Sequence, residues 1–150
     1  EALYDSEKLR KELTDLIDED INAFNDVMTA IKMPKTTDDE KKRRANSIQQ
    51  GYKKAAKVPI RTARLCTDVF NVALVAAKKG NINSITDAGV STLMAEAGVK
   101  SAVLNIKINL ASIKDQVFVE GILEEIKDIL IITENKTEKI LEIVETKLRQ

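Results

Sequence analysis

The chain contains no histidine. The usual general base at neutral pH and the commonest metal ligand are both missing, and no Ser-His-Asp or Cys-His arrangement exists to activate a nucleophile. Proton transfer falls to Asp, Glu, Lys or Tyr, and two carboxylates stand out by position. Asp20 fills the seven-residue gap in a helical row of Leu9, Leu13, Ile17, Phe24, Val27 and Ile31. A carboxylate there is costly unless it meets a cation or faces a cavity, so Asp20 reads either as half of a structural ion pair or as a ligand-facing acid. Asp87 opens a second row through Val90, Met94, Ala97, Ser101, Asn105, Ile108 and Ser112, with Asn109 beside it. In one unbroken helix Asp87 and Asn105 share a face about 27 Å apart. They cannot both touch one small reacting centre in a single copy of the chain: the helix breaks, a second subunit supplies one of them, or the ligand is long.

The basic run Lys41-Lys42-Arg43-Arg44 is the third candidate. Asp38, Asp39 and Glu40 precede Lys42, Arg43 and Arg44 by four residues, the spacing of paired charges on a solvated helix face. The alternative is an anion site, in which Arg44, four residues before Ile48, leans furthest inward. Cys66 is the lone cysteine, and its apolar neighbours Leu65, Val69 and Phe70 suggest a buried thiol in a reducing compartment.

The elements that must position these groups are helices. Five glycines and two prolines among 150 residues leave few breaks, and the fold class is all-α: one domain, a bundle of about five helices around a long central helix rich in small residues. Asp5 or Ser6 caps a first helix reaching about Lys32; Thr37 or Asp38 opens a second, which ends near Ala56. Pro59 starts a third at its first turn, and Lys78-Lys79-Gly80 closes it. Ser84 or Thr86 caps the central helix. Ala88, Gly89, Ser91, Ala95, Ala97, Gly98, Ser101 and Ala102 leave it little bulk, so another element must approach it closely. Asp115 opens a final region with Val119, Ile122, Ile126, Ile129, Thr133, Ile140, Val144 and Leu148 near heptad spacing, interrupted at 133–137. Its surplus of apolar residues around Ile126 to Ile132 favours a partner helix from another subunit.

Lys and Arg together number 24, as do Asp and Glu, so no overall field draws the chain to nucleic acid or to an anionic membrane. No apolar run is long enough to span a bilayer. A cytoplasmic location is expected.

Four segments taken together resemble a known family. They are DEDINAFNDVMTAIKMPK from Asp18, EKKRRANSIQQGYKKAAKVP from Glu40, GNINSITDAGV from Gly80 and AVLNIKINLASIKD from Ala102. Their order and spacing resemble the cyclodeaminase/cyclohydrolase domain of the formiminotransferase-cyclodeaminase family over roughly residues 1 to 120. The family pattern begins with a glycine-rich segment and a small-residue helix upstream of the part matching Glu1, so part of the substrate site is expected to lie outside this chain.

The resemblance implies a helical homodimer acting on a tetrahydrofolate derivative, with or without a polyglutamate tail, and requiring no other cofactor and no metal. Two reactions are implied: cyclodeamination of 5-formiminotetrahydrofolate to 5,10-methenyltetrahydrofolate with loss of ammonia, and hydrolysis of the methenyl compound to 10-formyltetrahydrofolate. Both carry a positive charge on the reacting amidine, which a fixed carboxylate can hold while moving a proton. Asp87, in GNxxSxxD, is the first catalytic candidate and Asp20, in DxxAF, the second. Asn81, Ser84, Asn105 and Asn109 are expected to orient the pterin, and Lys35, Lys41 and Arg44 to meet the anionic glutamate tail. A dimeric helical module that binds a folate or a protein partner without turnover is the alternative.

Overall fold

The computed structural model describes residues 1–149. Its spine is α2, Asp38–Lys79, a helix of 42 residues and so about 63 Å long. The helix starts where the sequence marks it. The Thr37 hydroxyl accepts from the Glu40 backbone N–H at 3.2 Å, and the Glu40 carboxylate accepts from the Thr37 and Thr36 N–H groups at 2.9 and 2.8 Å. Those two backbone donors hold the Glu40 carboxyl below the usual carboxylate range. At the other end Gly80 donates to the Ala76 carbonyl at 2.8 Å, and a Cβ on Gly80 would stand only 2.4 Å from that same oxygen.

The expected break at Pro59 does not occur: Pro59 lies inside α2. A proline cannot donate to the carbonyl four residues back, at a cost of about 3 kcal/mol in a helix interior. Val58, Pro59 and Ile60 are all buried, Val58 against α1 and Ile60 against the later helices, and that burial offsets the cost. The fourfold count follows: α1 is Ala2–Lys32, α3 is Ile85–Leu110 and α4 is Gln116–Leu148, with a short 3-10 turn at Ile82–Ser84. The first helix begins at Ala2, ahead of both expected caps, and Ser6 instead bonds back to the Leu3 carbonyl. The expected interruption at 133–137 is also absent. Thr133 is fully buried and turns its hydroxyl onto the Ile129 carbonyl at 2.7 Å, while Lys136 reaches Asn71 on α2 at 2.9 Å, so this stretch is packed against the spine as helix.

The main core joins α2, α3 and α4 through Phe70, Ala73, Val99, Ile140 and Val144. A second cluster, Ile60, Val103, Ile106, Leu110 and Ile126, continues it toward the α3–α4 turn. The first helix packs chiefly on α2 through Leu16, Ala23 and Val27. Its buried face is therefore rotated from the expected row: Ile17 and Phe24 of that row are each 61% exposed.

The close approach expected of α3 is present where small residues face inward. Ala88, Gly89, Ala95 and Ala102 are buried, and a Cβ on Gly98 would stand 2.7 Å from the Cys66 sulfur. Gly98→Ala is expected to cost about 1–3 kcal/mol through overpacking, despite its gain in helix propensity. In a Cys66→Ala background the same change should be neutral or stabilising, which a denaturant double-mutant cycle reads directly. Equal costs in both backgrounds would show that the sulfur is not the obstacle.

The α3–α4 turn is clamped onto α2. Gln49 donates to the Ser112 carbonyl at 2.9 Å and accepts from the Lys114 N–H at 2.8 Å; Lys53 meets Asp115 at 2.6 Å, and Asp115 caps α4 at the Phe118 N–H. The Lys53 ammonium and the Phe118 N–H hold the Asp115 carboxyl below its ordinary value of 3.8. A depressed folded value means that this contribution to stability is fully present above pH 3.8 and is lost as pH falls through the folded value. Asp115→Asn should thus lower Tm at neutral pH, and the gap from the parent should close in acid. A constant gap across that range would assign the effect to packing.

Candidate functional site

The first helix and α3 both lie on α2 without packing closely on one another, and a cleft of about 390 Å³ opens between them. Ile17, Asp20 and Ile21 come from α1, Pro59 and Thr62 form the floor from α2, and Ser101 and Asn105 come from α3. The carboxylate of Asp20 is the one charged group lining it. Asp20 is exposed, and among the described residues no cation pairs with it, so it is not half of a structural ion pair. Asn105 is exposed too; its backbone carbonyl accepts from Asn109 at 2.9 Å, while its own amide has no partner among the described residues.

The expected site residues fall in three places. Asp20 and Asn105 share the cleft, with Asn109 one turn further along α3. Asn81, Ser84 and Asp87 gather at the start of α3. There Asn81 accepts from the Asn83 N–H at 3.0 Å and so builds the 3-10 turn, Ser84 sits at the N-cap position with no side-chain bond, and Asp87 is exposed in the first helical turn. As α3 is continuous from Ile85 to Leu110, Asp87 and Asn105 remain about 27 Å apart within one copy. The third place is the α1–α2 turn. Lys35 is exposed in the loop, Lys41 pairs with Asp38 at 2.9 Å, and the half-buried Arg44 donates to the Ile31 carbonyl at 3.0 Å. Arg44 thus points inward as its spacing indicated, and what it meets there is the carboxyl end of α1, where a cation is favoured by the helix dipole.

Sequence reasoning missed the walls and floor. Ile17 was assigned to the core row and Pro59 to a helix start, while Thr62 carried no signal at all; its hydroxyl bonds back to the Val58 carbonyl at 3.2 Å. The row of α3 that begins at Asp87 is likewise not the packed face: Val90, Met94, Ala97, Ser101 and Ile108 are all exposed. The apolar surplus foreseen on α4 is smaller, since Ile126 and Ile129 are buried and Leu130 half-buried, leaving Ile131 and Ile132 outside. Burial pushes the Cys66 thiol up, in keeping with an inert core sulfur.

A larger cavity of about 480 Å³ lies between the start of α1 and the last turns of α2, lined by Glu1, Asp5, Lys8, Asp68 and Lys79 among others. It holds none of the expected site residues and its charges are mixed in sign. The cleft is the better candidate because an unpaired acid and an unpaired amide converge on its apolar walls. Among the described residues no three His, Cys, Asp or Glu side chains cluster as a metal site, and no helix is long and apolar enough to cross a membrane.

Fold and cleft together define an all-α bundle protein with a carboxylate-bearing site between helices. A family profile described as formiminotransferase-cyclodeaminase matches residues 1–128. The chain is 42% identical over 148 residues to a methenyltetrahydrofolate cyclohydrolase of Methylorubrum extorquens, covering 99% of this chain and 71% of that protein. It is 35% identical over 130 residues to the formimidoyltransferase-cyclodeaminase of Mus musculus, covering 87% of this chain and 24% of the mouse protein. The crystal structure of a formiminotetrahydrofolate cyclodeaminase from Thermotoga maritima superposes with a TM-score of 0.80 at 27% identity, covering 95% of this chain and 67% of the other. The chain belongs to the formiminotransferase-cyclodeaminase family.

Proposed function

We propose that this chain is a folate one-carbon enzyme that opens or forms the ring of 5,10-methenyltetrahydrofolate, and that it works as a homodimer. The observation that carries the reading is the meeting of Asp20 and Asn105 in one cleft of a chain so similar to a bacterial methenyltetrahydrofolate cyclohydrolase. That similarity, 42% against 35% for the mouse formimidoyltransferase-cyclodeaminase and 27% for the Thermotoga maritima cyclodeaminase, favours ring opening as the main reaction.

The substrate's N5–C–N10 unit is a cation, and an apolar-walled cleft with one carboxylate suits it. A ligand seated in the cleft displaces water from beside Asp20 and so strengthens the attraction between its carboxylate and the amidinium carbon. Asp20 then serves as general base: water adds to the methenyl carbon, its proton passes to the carboxylate, and a tetrahedral carbon forms. The same proton is returned to N5 as the C–N5 bond breaks, and the hydroxyl proton of the tetrahedral carbon is released to solvent as the C=O bond forms, leaving the formyl group on N10. In the cyclodeaminase direction, the carboxylate takes the N10 proton as N10 closes on the formimino carbon and delivers it to the departing ammonia. Asn105 and Asn109 offer amides to the pterin edge, and Asn81 and Ser84 polar groups to a more distant part of the ligand. Lys35 and Lys41, with Arg44 behind them, are the cations for a glutamate tail.

Support for the dimer is the open face of α3, where Met94, Leu104 and Ile108 are each 69% exposed. Purified protein should consume methenyltetrahydrofolate in a near-UV absorbance assay far faster than the spontaneous reaction, with slower or no production of it from 5-formiminotetrahydrofolate. Binding of both ligands with no turnover of either would establish the module that binds folate without catalysis.

A further inference from the structure

Pro59 stands in the middle of α2 and on the floor of the cleft, and packing does not require a proline at that place. A valine or an alanine would be buried as well and would keep a backbone N–H, whereas an interior proline is the costliest residue a helix can hold. What proline alone changes is the backbone. It leaves the Ala55 carbonyl, four residues back, without its helical donor. The helix stays α through this stretch, so the Ile60 N–H serves the Ala56 carbonyl in its turn. Thr62, the other floor residue, donates its hydroxyl to the Val58 carbonyl at 3.2 Å, and no side chain among the described residues donates to Ala55.

The freed oxygen faces the cleft. Ala55 and Val58 pack against α1, while Ala56 and Ile60 pack against α3 and α4. Pro59 lies between those two sides, in the gap that α1 and α3 leave open. Ala55 is one turn behind it on the same stripe, and a helical carbonyl points along the axis toward the residue four ahead, so its oxygen ends beside the Pro59 ring. Ala55 is 7% exposed, and a carbonyl so far out of water is costly to leave unpaired. The walls fix what stands over it. The Arg61–Glu19 and Lys54–Asp26 ion pairs show α1 running antiparallel along α2, with Asp20 level with Ile60. Gly98 against Cys66, and Ser112 held by Gln49, place Asn105 of α3 level with the turn from Ala56 to Pro59. A carboxylate, an amide and a carbonyl thus converge within one turn of α2, about 5.4 Å along its axis.

We propose that the Ala55 carbonyl, released by Pro59, is an open acceptor on the cleft floor, and that it takes an N–H of the bound ligand. The groups around it divide the work by chemistry. Asp20 attracts the cationic one-carbon unit, the Asn105 amide both gives and takes hydrogen bonds, and the carbonyl only accepts. The part of the ligand that meets it must therefore carry a donor. On the folate reading, on which this assignment of the ligand rests, that donor is an N–H of the pterin ring. A backbone acceptor held by a long helix loses no side-chain entropy on binding. It also rejects a ring that presents a lone pair at that point, because the carbonyl would then stay unpaired. Pro59 is a positioning residue in this arrangement, acting through the Ala55 oxygen.

The sequence allows a direct test. Alanine labelled with carbon-13 at the carbonyl and nitrogen-15 at the amide leaves only the Ala55-Ala56 and Ala76-Ala77 bonds visible in a carbonyl–amide correlation spectrum. The Ala76 carbonyl already accepts from the Gly80 N–H at 2.8 Å and serves as the reference. Adding 10-formyltetrahydrofolate, the product of ring opening, should move the Ala55 carbonyl resonance downfield and leave Ala76 in place. Pro59→Ala restores the N–H, so it should move Ala55 downfield in the free protein, hold or raise Tm, and weaken product binding about tenfold, the worth of one hydrogen bond. Pro59→Val restores the same N–H with more bulk and should do likewise. Weaker binding by the valine variant alone would mean that bulk is felt and not the carbonyl, which overturns the proposal. An Ala55 resonance that Pro59→Ala does not move downfield, or that stays in place while product binds by calorimetry, overturns it too. A product that does not bind at all sinks the folate reading, while the Pro59→Ala comparison still decides whether the carbonyl is open.

Discussion

Asp20→Asn should fold as the parent does, with unfolding free energy within about 0.5 kcal/mol, and lose about 100-fold or more in kcat. The stability half follows from its surroundings. The side chain is exposed at the mouth of the cleft and has no ion pair among the described residues. A buried paired carboxylate would have cost about 3 kcal/mol on losing its charge, the outcome expected if the apolar row of α1 had been a packed seam. The catalytic half follows from chemistry: asparagine preserves shape and hydrogen bonding but neither attracts the amidinium carbon nor carries a proton. The loss should appear in kcat and in kcat/KM alike, since the proton moves only on the way to the transition state. Steady-state kinetics together with a denaturation curve decide the matter. A near-normal kcat, or a variant that unfolds readily, would move the chemistry off α1.

Phe70→Ala should be the most damaging single change to the fold, costing about 3–5 kcal/mol out of a total near 5–15 kcal/mol. Phe70 is 0% exposed and stands in the cluster where α2 meets α3 and α4, among Ala73, Val99, Ile140 and Val144. Many of its neighbours there are alanines or β-branched residues, which cannot swing inward to fill the space, so most of the cavity should persist. Phe24→Ala is the matched control, the same substitution at a side chain 61% exposed on α1. It should change stability little. Urea curves separate these outcomes: the Phe70 variant should unfold at a midpoint far below the parent's and the Phe24 variant at one close to it. Comparable losses in both would mean that Phe24 is packed within its own chain.

Several features of this protein were decided by the sequence alone, because they depend on local rules. Scarcity of glycine and proline and the regular return of apolar residues dictate an all-α chain. Thr37 followed three residues later by Glu40 dictates where α2 starts, since that pair satisfies the first backbone donors of any helix it opens. Absence of histidine restricts proton transfer to carboxylates, lysine or tyrosine. The resemblance across four ordered segments likewise reached the family, with which the profile over residues 1–128 agrees.

Other features needed the tertiary structure. Pro59 is an acceptable first residue of a helix and a poor interior one, and only packing on both sides of Val58–Ile60 turns the second case into the stable one. Thr133 and Thr137 read as a break because threonine is a weak helix former, yet both are buried within α4. On α3, apolar residues occupy both faces: Val99, Val103 and Ile106 are buried while Val90, Met94 and Ile108 are open, and periodicity cannot say which face is inside when both are apolar. The same ambiguity turned the row of α1 outward at Ile17 and Phe24. Asp20 and Asn105 lie on different helices far apart in the chain, and no local spacing relates them. They meet because α1, through Leu16, Ala23 and Val27, and α3, through its small-residue face, each pack on α2, a long-range choice made by the packing of side chains and not by the propensity of any segment.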